Sequence, residues 1–223
     1  MTRLQAVLWD MDGTLVDTEP VWIAAEYELA ARHGATWSKE HALTLVGRDL
    51  LDSGRYIREH MGLELTAEQV VEALLDRVVE VVRDGVEWRP GARELLAEQQ
   101  HRGIPAALVT MSYRRLAEAV VAGLPADTFA TVVVGDEVGM GKPHPEPYLT
   151  AARNLGVEPG RCVALEDSET GAESAQAAGC HVVAVPAHVG VPAARNRTLV
   201  TTLQGLGLDD LEAMLVSAST SAH

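Results

Sequence analysis

The stretch Ala6-Val7-Leu8-Trp9-Asp10-Met11-Asp12-Gly13-Thr14 decides how the rest of the chain is read. Its first four residues are a short continuous apolar run, the pattern of a strand buried on both faces. Two carboxylates follow at once, Asp10 and Asp12, one residue apart. In extended backbone that spacing points both side chains to the same side. Like charges buried together are costly unless a cation or a shared proton relieves them. Gly13 permits a sharp turn that exposes backbone N–H groups to an anion. The stretch reads as a buried parallel strand delivering an acidic pair to a ligand-binding edge.

Working outward, similar apolar runs recur at residues 106–109, 131–134, 162–165 and 181–185. Helical segments at 113–122, 147–155 and 169–178 lie between them, with Gly156 and Gly179 as stop signals. Strand and helix in alternation predict an α/β fold with a parallel sheet. One segment breaks the alternation. Between Thr18 and about Glu87 the sequence offers only amphipathic helices. One covers 21–33 and ends at Gly34. Another opens on the capping box Thr66…Gln69 and lines up Val70, Val71, Leu74, Leu75, Val78, Val79 and Val82. The expected organisation is a catalytic core of residues 1–17 and 89–223 with a helical lid of residues 18–88. The turn residues of Trp88-Arg89-Pro90-Gly91 mark the return to the core. The small polar end, 217–223, is expected to fray.

Composition narrows the role. The 223 residues carry a formal net charge of −14, with 47% hydrophobic and 22% charged residues. Those proportions are those of a globular chain, and the acidity opposes nucleic-acid binding as a main role. Cys162 and Cys180 make neither a disulfide framework nor a zinc site and read as buried free thiols. The run at 6–9 is too short for a signal-peptide core. No stretch approaches the roughly 18 apolar residues of a membrane span. The expectation is a cytoplasmic protein with no membrane partner, a monomer or weak dimer.

Three further strand ends carry polar groups. The second run closes in Val109-Thr110-Met111-Ser112, where Thr110 alone would read as a turn residue or N-cap. Gly141-Lys142-Pro143-His144-Pro145 holds one of only two lysines, the other being Lys39; arginine supplies the rest of the 18 basic residues. A lysine kept there suggests that a compact point charge is wanted. His144, between prolines, reads as positional. The fourth run closes in Leu165-Glu166-Asp167-Ser168, a second acidic pair. A helix N-cap explains Asp167 or Ser168 but leaves Glu166 over. If the first and fourth strands are neighbours, Asp10, Asp12, Glu166 and Asp167 converge with Lys142. That oxygen-rich set suits a hard cation, Mg²⁺ first. Acyl hydrolysis lacks a nucleophile elbow, whereas phosphoryl transfer fits a metal, a lysine and an attacking carboxylate.

The ordered set Asp10-x-Asp12-Gly13-Thr14, Thr110, Gly141-Lys142-Pro143 and Glu166-Asp167 resembles the haloacid dehalogenase superfamily, in its branch with a helical cap after the first motif. Leu15-Val16-Asp17-Thr18-Glu19-Pro20 extends that motif as in many sugar-phosphatase-like members. The resemblance implies a Rossmann-like core with the first strand central and the fourth beside it, and a phosphoric monoester hydrolase acting on a small phosphorylated metabolite, a sugar or polyol phosphate. It implies Asp10 as nucleophile and Asp12 as the acid and base. Gly13, Thr110, Met111 and Lys142 would bind the phosphoryl group. Mg²⁺ would be held by Asp10, the backbone carbonyl of Asp12 and Asp167, with Glu166 close by. Glu19, Gly47 and Arg48 are candidate substrate contacts, Arg77 a weaker one, and Trp22 and Trp37 read as packed aromatic core.

Other branches fit less well. Family dehalogenases lack an acid matching Asp12, and Lys39 is out of place for a phosphonatase Schiff base. A β-phosphoglucomutase-like mutase stays as the alternative, although Trp22 stands where its histidine is expected. A catalytically idle binding module is the remaining reading.

Overall fold

The computed structural model describes residues 4–46 and 48–220. Along the chain, β1 (Ala6–Trp9) and β2 (Val16–Asp17) precede four helices: α1 (Glu19–Arg32), α2 (Lys39–Leu45), α3 (Leu50–Met61) and α4 (Ala67–Asp84). β3 (Glu87–Trp88), α5 (Ala92–His101), β4 (Ala106–Val109), α6 (Arg114–Val121) and β5 (Thr131–Val133) follow. α7 (Glu146–Leu155), β6 (Cys162–Glu166), α8 (Glu169–Ala177), β7 (His181–Ala184), β8 (Arg197–Leu199) and α9 (Leu208–Thr220) complete the order.

Six strands form a parallel sheet in the order β5-β4-β1-β6-β7-β8. Trp9 lies opposite Leu108 on one side and Leu165 on the other, so β1 and β6 are the neighbours that the acidic pairs require. The chain builds leftward from β1 to β4 and β5, then returns to build rightward from β6. Such a reversal opens a crevice at the carboxyl ends of the central strands, where open α/β sheets bind ligands.

Period-2 alternation sends the strand side chains to two cores. Val7, Trp9, Leu108, Leu165 and Val183 pack toward α5, α6 and α9, in a cluster continuous with α1, α3 and α4. Ala6, Leu8, Val109, Ala164 and Val182 pack against Tyr148 and Ala151 of α7 and Ala172 and Ala175 of α8. In α4 the predicted stripe from Val70 to Val82 is buried. The capping box closes both ways, Gln69 N–H to Thr66 Oγ1 at 3.3 Å and Thr66 N–H to Gln69 Oε1 at 2.9 Å.

Among the described residues only helices lie between Thr18 and Glu87, as expected, and the stretch is closed by β2 and β3, which pair antiparallel in a ribbon two residues long on each side. Two expectations are corrected. β8 is a sixth strand, and its Arg-Thr-Leu sequence on an edge carries no apolar run to announce it. Residues 217–220 are helical, because Leu208, Leu211 and Leu215 at helical spacing anchor α9 in the core; 221–223 lie outside the described residues. Among the described residues no helix is long and apolar enough to cross a membrane.

Candidate active site

β1, β4 and β6 each end at the crevice, and each end places the polar group the sequence put there. Asp10 N–H still donates to Leu165 O at 3.0 Å, which keeps the first carboxyl level with the end of β6. Lys142 Nζ donates to Asp10 Oδ1 at 2.7 Å and to Glu166 Oε1 at 2.6 Å. All three side chains are buried. Tyr148 OH donates to Glu166 Oε1 at 2.5 Å and Ser168 Oγ to its Oε2 at 3.2 Å. Glu166 is 0% exposed, so its oxygens are spent on orienting Lys142 from beneath. A Cβ on Gly171 would overlap that carboxylate, which explains a glycine in the first turn of α8.

Oxygens of Asp10, Glu166 and Asp167 come within 4.8 Å of one another. Asp10 Oδ2 is buried with no hydrogen-bond partner. Gly13 adopts φ +85°, and a Cβ there would run into the Asp167 carboxylate. Only glycine brings the turn this close.

The electrostatics follow from crowding. Burial, then the charges of Asp10 and Glu166, hold the Asp167 carboxyl well above the usual carboxylate range. Glu166 is raised by burial and by Asp10, against the pull of Lys142 and Tyr148. Burial pulls Lys142 down, but the two carboxylates beside it win and hold it above its ordinary value. Three acids thus share one lysine, which leaves an excess of negative oxygen. A set made only of oxygens fits a hard divalent cation.

Asp12 stands apart from that set. Its Oδ1 accepts from Thr18 Oγ1 at 2.5 Å, and its Oδ2 from Ser112 Oγ at 2.8 Å and Thr110 Oγ1 at 3.2 Å. Burial raises its carboxyl, the Thr18 hydroxyl opposes that, and Asp10 adds to it. Thr110 also accepts from Ser112 N–H at 2.9 Å, and Met111 Sδ accepts from Lys142 N–H at 3.2 Å.

A cavity of about 120 Å³ joins this edge to the helical block. Asp10, Asp12, Gly13, Thr110, Met111, Lys142 and Asp167 line its floor. Glu19 and Arg48 also line it, while Gly47 lies outside the described residues. Arg48 is exposed, its guanidinium 5.6 Å from the Tyr56 ring centroid. Arg77 is not among the lining residues and pairs instead with Glu28 and Glu80. Trp22 is partly buried, packed against the core as expected and also lining the cavity; Trp37 is buried as expected. His144 is positional, its carbonyl accepting from Ser174 Oγ at 2.6 Å. Cys162 and Cys180 are free and buried.

The sequence reading missed Tyr148, Thr18, Ser53 and Glu26. Tyr148 reads as an apolar helix residue until its hydroxyl is placed. Glu26 could have been found, since Glu19, Trp22 and Glu26 fall at i, i+3 and i+7 on one helical face.

A parallel sheet with an acid-rich pocket and one lysine at its switch point, roofed by inserted helices, defines a Rossmann-like enzyme of the hydrolase class. The chain belongs to the haloacid dehalogenase-like hydrolase family, which it matches over residues 4–179. It is 36% identical over 202 residues to hexitol phosphatase A of Escherichia coli K12, covering 89% of this chain and 90% of that one. It is also similar to the crystal structure of CbbY from Rhodobacter sphaeroides in complex with phosphate. There the TM-score is 0.84 at 31% identity, over 93% of this chain and 99% of that one. A mutant of the same CbbY in complex with xylulose-(1,5)-bisphosphate gives a TM-score of 0.81 at 30% identity, covering 94% and 99%.

Proposed function

We propose that the chain is a Mg²⁺-dependent phosphomonoesterase that hydrolyses a small sugar or polyol phosphate through an aspartyl-phosphate on Asp10. The observation that carries this reading is the state of Asp10. One oxygen is pinned by Lys142 while the other is buried, without a partner, on the cavity floor. A carboxylate held this way is a positioned nucleophile. The names of the relatives support the substrate class.

Asp10 and Asp167 would hold the metal together with the Asp12 carbonyl, while Glu166 holds Lys142. Bound there, the cation would neutralise phosphate oxygens. Lys142 and the Gly13 turn orient the phosphoryl group, with Thr110 and Met111 beside it. An Asp10 oxygen attacks phosphorus as the ester P–O bond breaks, and Asp12 gives its proton to the leaving oxygen. Asp12 then takes a proton from the water that attacks the aspartyl-phosphate, releasing inorganic phosphate and restoring Asp10. The three hydroxyls on Asp12 hold its carboxyl in place for both transfers.

The same hydroxyls bear on the mutase alternative. Among the described residues Asp12 has no imidazole partner, and the lining histidine, His188, is bonded to Asp17 at 3.0 Å. That arrangement supports transfer to water. Phosphorus NMR of a hexose 1-phosphate incubated with enzyme and Mg²⁺ tests it. Free phosphate is expected; conversion to the 6-phosphate without phosphate release would overturn hydrolysis.

A further inference from the structure

The helical side of the cavity holds polar atoms that the chemistry at the sheet edge does not use. Glu26 on α1 is 4% exposed and lines the cavity. Trp37 Nε1 donates to its Oε2 at 2.8 Å. Ser53 on α3 is 7% exposed and lines the same cavity, and its hydroxyl is buried without a partner. Leu45, Ile57, Val71 and Leu74 supply apolar wall around them. A buried hydroxyl left unpaired in such a wall is costly, so the retention of Ser53 points to a ligand that satisfies it, within a cavity that the Glu26 carboxyl also lines. The indole of Trp37 does not by itself require Glu26. One donor needs one acceptor, and an amide would serve.

Charge then selects the ligand. On this side the lining groups include two acids, Glu19 and Glu26, and one arginine, Arg48. Arg48 is exposed and turned over the Tyr56 ring. An anion brought against Glu26 would be taken out of water beside a carboxyl, with no buried cation on this side to pair it.

We propose that Glu26 is a specificity-determining residue: with Ser53 it hydrogen-bonds a hydroxyl at the end of the substrate remote from the phosphate, and it turns away substrates with a second phosphate or a carboxylate there. This rests on the phosphatase reading above and narrows it to monophosphates with a neutral, hydroxylated far end. Burial pushes the Glu26 carboxyl up to about 7, opposed by the Trp37 hydrogen bond and helped by Glu19. A carboxyl that holds its proton can both donate and accept, which suits a hydroxyl better than an ammonium group.

The test is the KM and kcat of the full chain with Mg²⁺, for wild type, Glu26→Gln and Glu26→Leu. Glucitol 6-phosphate, ribose 5-phosphate, fructose 1,6-bisphosphate and the short acetyl phosphate are the probes. Wild type should prefer a monophosphate over the bisphosphate by about tenfold or more in kcat/KM. Glu26→Leu should raise the preferred monophosphate's KM roughly tenfold, narrow that preference, and leave acetyl phosphate unchanged. Glu26→Gln keeps an acceptor for Trp37 and should stay within about threefold of wild type, the loss expected of one neutral hydrogen bond exchanged for another. The inference is overturned if Glu26→Leu leaves every monophosphate KM unchanged, or if it slows acetyl phosphate equally. It is also overturned if wild type favours the bisphosphate, or if Glu26→Gln loses as much as Glu26→Leu, which would signal an ammonium ligand. Turnover of acetyl phosphate in every variant shows that the phosphatase reading survives such a failure. Absence of turnover on all four probes ends that reading and this one together.

Discussion

At the carboxyl edge of the sheet Asp10, Glu166 and Asp167 crowd about Lys142, with two short ion pairs in the cluster. On the helical side of the same cavity Glu26 is buried and Glu19 half-buried, and no lysine answers them. Both of those carboxyls are pushed up to about 7. Burial is the main cause in each, with His188 opposing it at Glu19. The first group offsets charge by pairing Asp10 and Glu166 with Lys142, and the second sheds charge by keeping its proton. Acids of one type thus serve two purposes in one cavity, chemistry on the floor and selection on the roof.

The sharpest break of that contrast is Lys142→Met. It leaves Asp10 and Glu166 buried and unpaired, so it should destabilise the fold by about 3–5 kcal/mol and abolish turnover. Adding Glu166→Gln should restore part of the stability and none of the activity. Chemical denaturation beside steady-state kinetics checks both.

Next in size is the response to metal. At a Mg²⁺ concentration near 100 Kd, binding to the folded state alone adds about 2.7 kcal/mol. In a chain of this length that raises Tm by about 5–10 °C. Asp167→Asn should lose the shift, whereas Glu26→Gln should keep it. A thermal melt with and without chelator decides.

The roof predicts a pH effect of its own. The folded chain holds the Glu26 proton up to about pH 7, while the unfolded chain, near the ordinary value of 4.5, has already released it. Stability therefore falls as pH rises from about 4.5 to 7 and is flat for this group beyond. Glu26→Gln should remove about 1–3 kcal/mol of that fall, read from urea midpoints at pH 5 and 7.5. The smallest effect is Arg77→Ala. Its partners Glu28 and Glu80 are surface acids, so a loss within about 0.5 kcal/mol and unchanged kinetics are expected.

The floor was legible in the sequence and the roof much less so. Continuous apolar runs ending in Asp10, Thr110 and Glu166 announce parallel strands with polar ends, because a strand buried on both faces leaves no other pattern. The neighbouring of β1 and β6, which brings the acids together, is a property of topology. It followed from the family resemblance and stands in the pairing of Trp9 with Leu165. The partner of Glu166 was not legible, since Tyr148 OH reaches it from a helix 18 residues upstream. Two-residue strands such as β2 and β3 are too short to show a period. Glu26 shares a helical face with Glu19 and Trp22 in the sequence, but that this face lines the cavity is a matter of packing.

The central claim is that Asp10 carries the phosphoryl group. The direct measurement is borohydride trapping during turnover, followed by peptide mass spectrometry. The reduced acyl-phosphate should appear at residue 10 in wild type, with no label in Asp10→Asn. Label at another residue, or undiminished turnover by Asp10→Asn, would contradict the account.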